Sequence, residues 1–268
     1  MLRTRVLTAV LALPLLAVLV WVGGWAFALL VAGALLIAGW EYVQLLRQGG
    51  YAPSLWLTWA LIALAVGAVR FGHDEWRTPG LALLLVLGMG QTVWRMEHAA
   101  PVPLHDLALA VFGGVYIGWL GSAFLALRQL QHGAYFVALV YGSVAVADSA
   151  AYFVGRRWGQ HKMSPRVSPK KTWEGYGGGV VGAVLFGALM GAFAPVQTLS
   201  WAHGAALGAL IGMLGTLGDL GISALKRQVG AKDSGHLIPG HGGILDRVDS
   251  VLVAAWVGYS YLTWVVWR

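Results

Sequence analysis

No cysteine occurs among the 268 residues, so disulfides, thiolate nucleophiles and cysteine-ligated zinc or iron-sulfur centres are excluded. Charge is scarce as well. Asp, Glu, Lys and Arg make up 11% of the chain, against about a quarter in a typical soluble domain. A chain that is 58% hydrophobic with so little charge has too little polar surface to fold as an ordinary water-soluble domain. A hydrocarbon layer about 30 Å thick takes about 20 apolar residues per helix. Apolar windows stand near 6–22, 24–40, 54–69, 79–94, 107–127, 134–155, 176–194, 202–224 and 250–267. They predict an all-α, polytopic integral membrane protein of about nine transmembrane helices with two long cytoplasmic loops. Residues 1–130 are read as N-terminal transmembrane helices and 131–268 as a C-terminal catalytic transmembrane region, together one continuous membrane domain. The first window resembles a signal peptide, but no small-residue cleavage site follows it, and it is read as a retained helix.

The charge that is present is uneven. The net charge of +7 sits in short segments between apolar windows, a distribution suited to anionic lipid or an anionic soluble substrate rather than nucleic acid. With the N-terminus inside, only Arg70, Arg77, Arg128 and Arg268 fall outside, and the other 14 of 18 basic residues are cytoplasmic. Both long polar segments, 156–175 and 225–249, then face the cytoplasm, where soluble nucleotides are found. Tryptophans near the window ends, such as Trp21, Trp40, Trp94 and Trp201, fit interfacial belts. Glycines recur at four-residue spacing in the last third, as Gly187 and Gly191 and as Gly204, Gly208 and Gly212. Small residues at that spacing let helices approach closely, here within one chain, with a homodimer seam as the alternative use.

Two segments concentrate chemistry. In the first, Asp219 to Asp249, a helical stripe of Asp219, Ser223 and Lys226 offers a carboxylate, a hydroxyl and an ammonium to a metal-bound phosphate. Arg227, Lys232 and Asp233 follow, then a Pro-Gly-His-Gly-Gly turn containing His241, whose backbone amides can approach an anion. Asp246 and Asp249 come next at i, i+3, with Arg247 between them, and as hard oxygen donors can hold Mg²⁺ jointly with Asp219. In the second segment, Asp148 stands inside an apolar window, where an acid is a functional candidate by default. Ser168, Lys170, Lys171 and Thr172 then form a donor cluster suited to a triphosphate or a phosphatidate head, with Glu174 placed to orient one of the cations. The remaining histidines have no partner spacing, and Asp106 is expected to tolerate Asn.

These residues resemble the phosphatidate cytidylyltransferase, or CDP-diacylglycerol synthase, family. The signature runs without a gap through Ser223, Lys226, Arg227, Lys232, Asp233, Gly235, Pro239, His241, Gly242, Gly243, Asp246, Arg247 and Asp249. The likeness extends to Asp148, Ala151, Tyr152, Gly155 and the Ser168 to Thr172 run. One position departs: Ile222 stands where the family commonly has Glu. The resemblance implies CTP and phosphatidic acid as substrates, Mg²⁺ held by Asp219, Asp246 and Asp249, and catalysis by those acids with Lys226. It implies that Asp148, Ser168, Lys170, Lys171, Thr172, Ser223, Arg227, Lys232, His241 and Arg247 bind substrate. A bacterial inner membrane, with the active site toward the cytoplasm and the lipid entering from the bilayer, is the expected location. A CTP-dependent polyprenol kinase and an ion-coupled transporter are the competing readings.

Overall fold

The computed structural model describes residues 14–235 and 242–267. Pro239, Gly240 and His241 of the expected anion-binding turn lie outside the described residues. A helix stands at each of the nine expected windows among the described residues. They are α1 over 14–22, α2 Gly24–Gln48, α3 Leu55–Phe71, α4 Arg77–Glu97, α5 Pro103–Gln129, α6 Gly133–Trp158, α7 Trp173–Ala192, α8 Trp201–Gln228 and α9 Leu245–Tyr261. A π-helical turn, Leu262–Val266, extends α9. Six of these are long and apolar enough to cross a membrane: α2, α5, α6, α7, α8 and α9 with its extension. The apolar α3 has 17 residues and falls short of that length. An integral membrane protein follows. Its helices carry Trp21, Leu29, Val86, Phe153, Leu185 and Trp201 exposed, side chains that hydrocarbon or the interface solvates and water does not.

One element departs from the all-α expectation. Residues read as a loop form an antiparallel hairpin, β1 Lys162–Ser164 with β2 Ser168–Thr172, joined by a three-residue turn that begins with Pro165. Proline pre-sets the backbone for such a turn, and short loops of this length commonly join antiparallel strands. An isolated two-stranded hairpin is marginal in water. This one is fastened at its base by Trp173 N–H donating to the His161 carbonyl at 2.9 Å. At its tip, Arg227 Nε donates to the Val167 carbonyl at 3.2 Å.

The chain forms two compact units, Met1–Ala126 with Gln228–Val248, and Leu127–Arg227 with Asp249–Arg268. In the first, Leu57, Leu61 and Ala110 are fully buried, with Leu81, Leu84 and Leu107 packed against them. Tyr42 Oη donates to the Leu109 carbonyl at 2.9 Å and ties α2 to α5. Asp106, expected to tolerate Asn, is buried. Its Oδ2 meets Arg95 Nη2 at 2.8 Å, and its Oδ1 accepts from Ala52 N–H at 2.7 Å. Arg95 Nη1 donates in turn to the Ala52 carbonyl at 2.9 Å. This closed ring joins the end of α4, the turn after α2 and the start of α5.

The second unit is built on helices in backbone contact. A methyl on Gly179 would lie 2.9 Å from the Ala147 carbonyl oxygen, and one on Gly175 would lie 2.8 Å from that of Ala151, so α7 lies directly on α6. Gly187 and Gly204 face each other so closely that neither has room for a methyl group, which sets α7 against α8. The glycine stripes are thus consumed within this unit, as small-residue helix packing requires.

Candidate active site

Helix α8 is 28 residues long, or about 42 Å at 1.5 Å per residue, and so outruns a hydrocarbon core of about 30 Å. Its C-terminal turn carries Lys226 and Arg227, charges that a polar interface would solvate. Asp219 lies nine residues before the helix end and Asp148 ten before the end of α6, each about 14 Å from the terminus. Asp219 and Asp148 therefore each stand more than two helical turns from the helix end.

Around Asp219 the second unit gathers three of the expected residues. Lys171 Nζ lies 2.6 Å from Asp219 Oδ2, and Ser223 Oγ, one turn on, donates to Oδ1 at 3.0 Å. Asp148 lies within electrostatic reach of both Asp219 and Lys171. The pair is only partly covered, with side-chain exposures of 27% for Lys171 and 32% for Asp219. An ion pair so placed is screened and can exchange its partner. Asp249 is brought to the same level by Gly218, whose lack of a side chain lets α8 touch the Asp249 carbonyl. Asp249 is buried, and its Oδ1 accepts from Ser250 N–H at 2.7 Å. Lys226 and Ser223 are buried, whereas Arg227 is exposed.

The hairpin divides the expected donor cluster. Side chains alternate along a strand, so Lys171 turns to Asp219 while Lys170 is exposed on the opposite face. Thr172 is the buried N-cap of α7, its Oγ1 accepting from Gly175 N–H at 3.2 Å. Glu174 does not orient a loop cation. It accepts from the backbone N–H groups of Gln160 and His161, at 3.2 Å each, and pairs with the His161 ring. His161, which has no sequence partner at helical spacing, thereby acquires one across the hairpin base.

The first unit holds the rest of the signature. Asp246 opens α9, and its Oδ2 accepts from Ser234 N–H at 2.8 Å and Gly243 N–H at 3.3 Å. Gly242 has φ +79°, the left-handed region that favours glycine, and this turns the chain onto Asp246. Lys232 and Arg247 are exposed. Ile222 is a buried apolar side chain of α8, in the second unit.

The donor set fits Mg²⁺ in kind. Asp219, Asp246 and Asp249 are hard oxygen donors, and Asp219 already holds a cation, the Lys171 ammonium. Among the described residues no three His, Asp or Glu side chains converge into a cage. Mg²⁺ commonly takes one or two carboxylates and completes its octahedron with water and substrate phosphates.

The family model described as the cytidylyltransferase family matches residues 3–265. This chain belongs to the cytidylyltransferase family. Proteins named phosphatidate cytidylyltransferase resemble it along their length. The one from Mycobacterium tuberculosis strain H37Rv is 34% identical over 279 residues, covering 94% of this chain and 80% of the relative. That of Brucella suis is 33% identical over 97% of this chain and 93% of its own. That of Thermotoga maritima is 34% identical over 96% and 95%. The family match takes in the N-terminal half too, which sequence reading treats only as hydrophobic helices.

Sequence reasoning missed one residue of this region. Glu41 of α2 is completely buried, and it accepts from Ile244 N–H at 3.0 Å, Leu245 N–H at 2.8 Å and Ser234 Oγ at 3.3 Å. The signal was present. Glu41 stands one residue past the 24–40 window, and an acid at the edge of an apolar span is costly unless paired or functional.

Proposed function

We propose that this protein transfers the cytidylyl group of CTP to phosphatidate, forming CDP-diacylglycerol and pyrophosphate. The observation that carries this reading is the near full-length match to relatives of that name from several bacteria. The clustering of Asp219, Lys171 and Ser223 beside Asp148 agrees with it, because it brings exchangeable charge to a membrane helix.

In the reaction a phosphatidate phosphate oxygen attacks the α-phosphorus of CTP. The new O–P bond forms as the bond to the β-phosphate oxygen breaks, and pyrophosphate leaves with that electron pair. The attacking oxygen is already anionic, so positioning and charge neutralisation carry the rate. Lys171, Lys170, Lys226 and Arg227 supply cationic contacts to phosphate oxygens. Ser168, Thr172, Ser223, Lys232, His241 and Arg247 belong to the same proposed substrate-binding set. Lys171 exchanges Asp219 for substrate phosphate as it does so. Mg²⁺ held by Asp219, Asp246 and Asp249 would supply further neutralisation of the triphosphate. In this reading the protein lies in a bacterial inner membrane, with phosphatidate reaching the site from the bilayer and CTP from the cytoplasm. A homodimer would have to use a face other than the glycine stripes, which the second unit covers itself.

The test supplies sealed, oriented vesicles carrying the protein with phosphatidate, Mg²⁺ and CTP labelled at the α or the γ phosphate. Label from the α position should enter lipid only when CTP reaches the cytoplasmic face, and γ label should appear only in soluble pyrophosphate. Gamma label in lipid would make the protein a kinase. Absence of label in lipid from folded, metal-supplied protein on either face would refute the transferase reading.

A further inference from the structure

The most completely enclosed acid in the first unit touches none of the proposed substrate-binding residues directly. Glu41 has no exposed surface, yet both of its oxygens accept: Oε1 from Ile244 N–H, and Oε2 from Leu245 N–H and Ser234 Oγ. Ile244 and Leu245 are the residues at which α9 begins, so their amides are orphan donors at a helix N-terminus, and α2 provides the cap that the local sequence does not. The segment is shaped around this carboxylate. A methyl on Gly235 would lie 2.7 Å from Oε1, and one on Gly243 would lie 2.5 Å from Oε2. One residue beyond the capped amides stands Asp246, whose Oδ2 grips Ser234 and Gly243 on the same stretch.

We propose that Glu41 is a positioning residue for the cytidylyl transfer: through the Ser234 hydroxyl and the backbone amides of Ile244 and Leu245 it sets where the carboxylate of Asp246 stands. This inference rests on the cytidylyltransferase reading. Each Glu41 oxygen serves a different backbone N–H, so a glutamine in its place must point its NH₂ at one of them whichever way the amide is turned. Glu41→Gln therefore preserves shape and breaks the clamp.

The experiment compares wild type with Glu41→Gln, both full-length, purified and confirmed folded, for CDP-diacylglycerol formation and for amide hydrogen exchange. Glu41→Gln should lower kcat about 100-fold, as misplacement by about 1 Å does. The KM values for CTP and phosphatidate should change less than about threefold. Peptides spanning 242–250 should exchange faster while those of α3 do not. A merely structural acid would lower the yield or the melting temperature and leave kcat per folded molecule intact, and that result overturns the proposal. Unchanged exchange at 242–250 overturns it too. If Glu41→Gln does not fold, Gly243→Ala, which crowds the same carboxylate and keeps its charge, decides. It should show the same loss of kcat with the same local exchange, and wild-type turnover in that variant would refute the role. An inactive wild type sinks the transferase reading itself, an outcome distinct from an active wild type beside an equally active Glu41→Gln.

Discussion

Glu41 and Asp219 are both acids within apolar helices, and the two units treat them in opposite ways. Glu41, in the first unit, is sealed and satisfied by backbone and hydroxyl donors that cannot leave without unfolding the segment. Asp219, in the second, is about one-third exposed and faces a lysine on a hairpin. A buried carboxylate held by fixed amides maintains geometry, because losing a partner leaves costly unsatisfied groups. A half-exposed carboxylate held by a flexible ammonium can trade that partner for a ligand at small cost. Burial together with the kind of donor, rather than the presence of an acid in a membrane helix, separates a carboxylate that fixes geometry from one that can meet a ligand.

The sharpest attack on this comparison is Asp219→Asn. It should reduce lipid product by about 100-fold or more, in the range seen when groups that orient a metal or stabilise charge are removed. The melting temperature should barely move, because the amide oxygen can still accept from Ser223. A large fall in stability with turnover retained would place Asp219 among the structural acids instead.

Asp106→Asn asks the converse question of the first unit. It breaks the buried contact with Arg95 while sparing an acceptor for Ala52 N–H, and should cost about 2 kcal/mol of stability. Thermal unfolding in detergent checks the loss, and kcat per folded molecule should remain that of wild type. A selective loss of kcat would show that this acid too serves the reaction.

The smallest effect is expected at the hairpin. Lys171→Gln should raise the KM for CTP about tenfold, equal to roughly 1.4 kcal/mol for one charge-assisted contact. Lys170→Gln, on the opposite face of β2, should cost less. Equal effects would mean that strand alternation does not sort the two lysines, and steady-state kinetics at saturating phosphatidate distinguishes the outcomes.

Composition and periodicity alone determine that this chain is a helical membrane protein, because apolar runs of bilayer length admit few other solutions. They also locate Asp148, Asp219, Asp246 and Asp249, since charge inside or beside such runs is expensive enough to stand out. The four-residue spacing of Gly187 and Gly191, and of Gly204, Gly208 and Gly212, likewise announces close helix packing. Contact between α7 and α8 makes that packing internal to the second unit. Tertiary structure alone decided the partners. Glu41 lies 204 positions from Leu245, Asp106 lies 54 from Ala52, and Lys171 reaches Asp219 across a hairpin that a polar, basic stretch does not advertise. A hydrogen bond between distant residues leaves no local periodicity. Only the packing of helices around a buried charge reveals which donors it has enlisted.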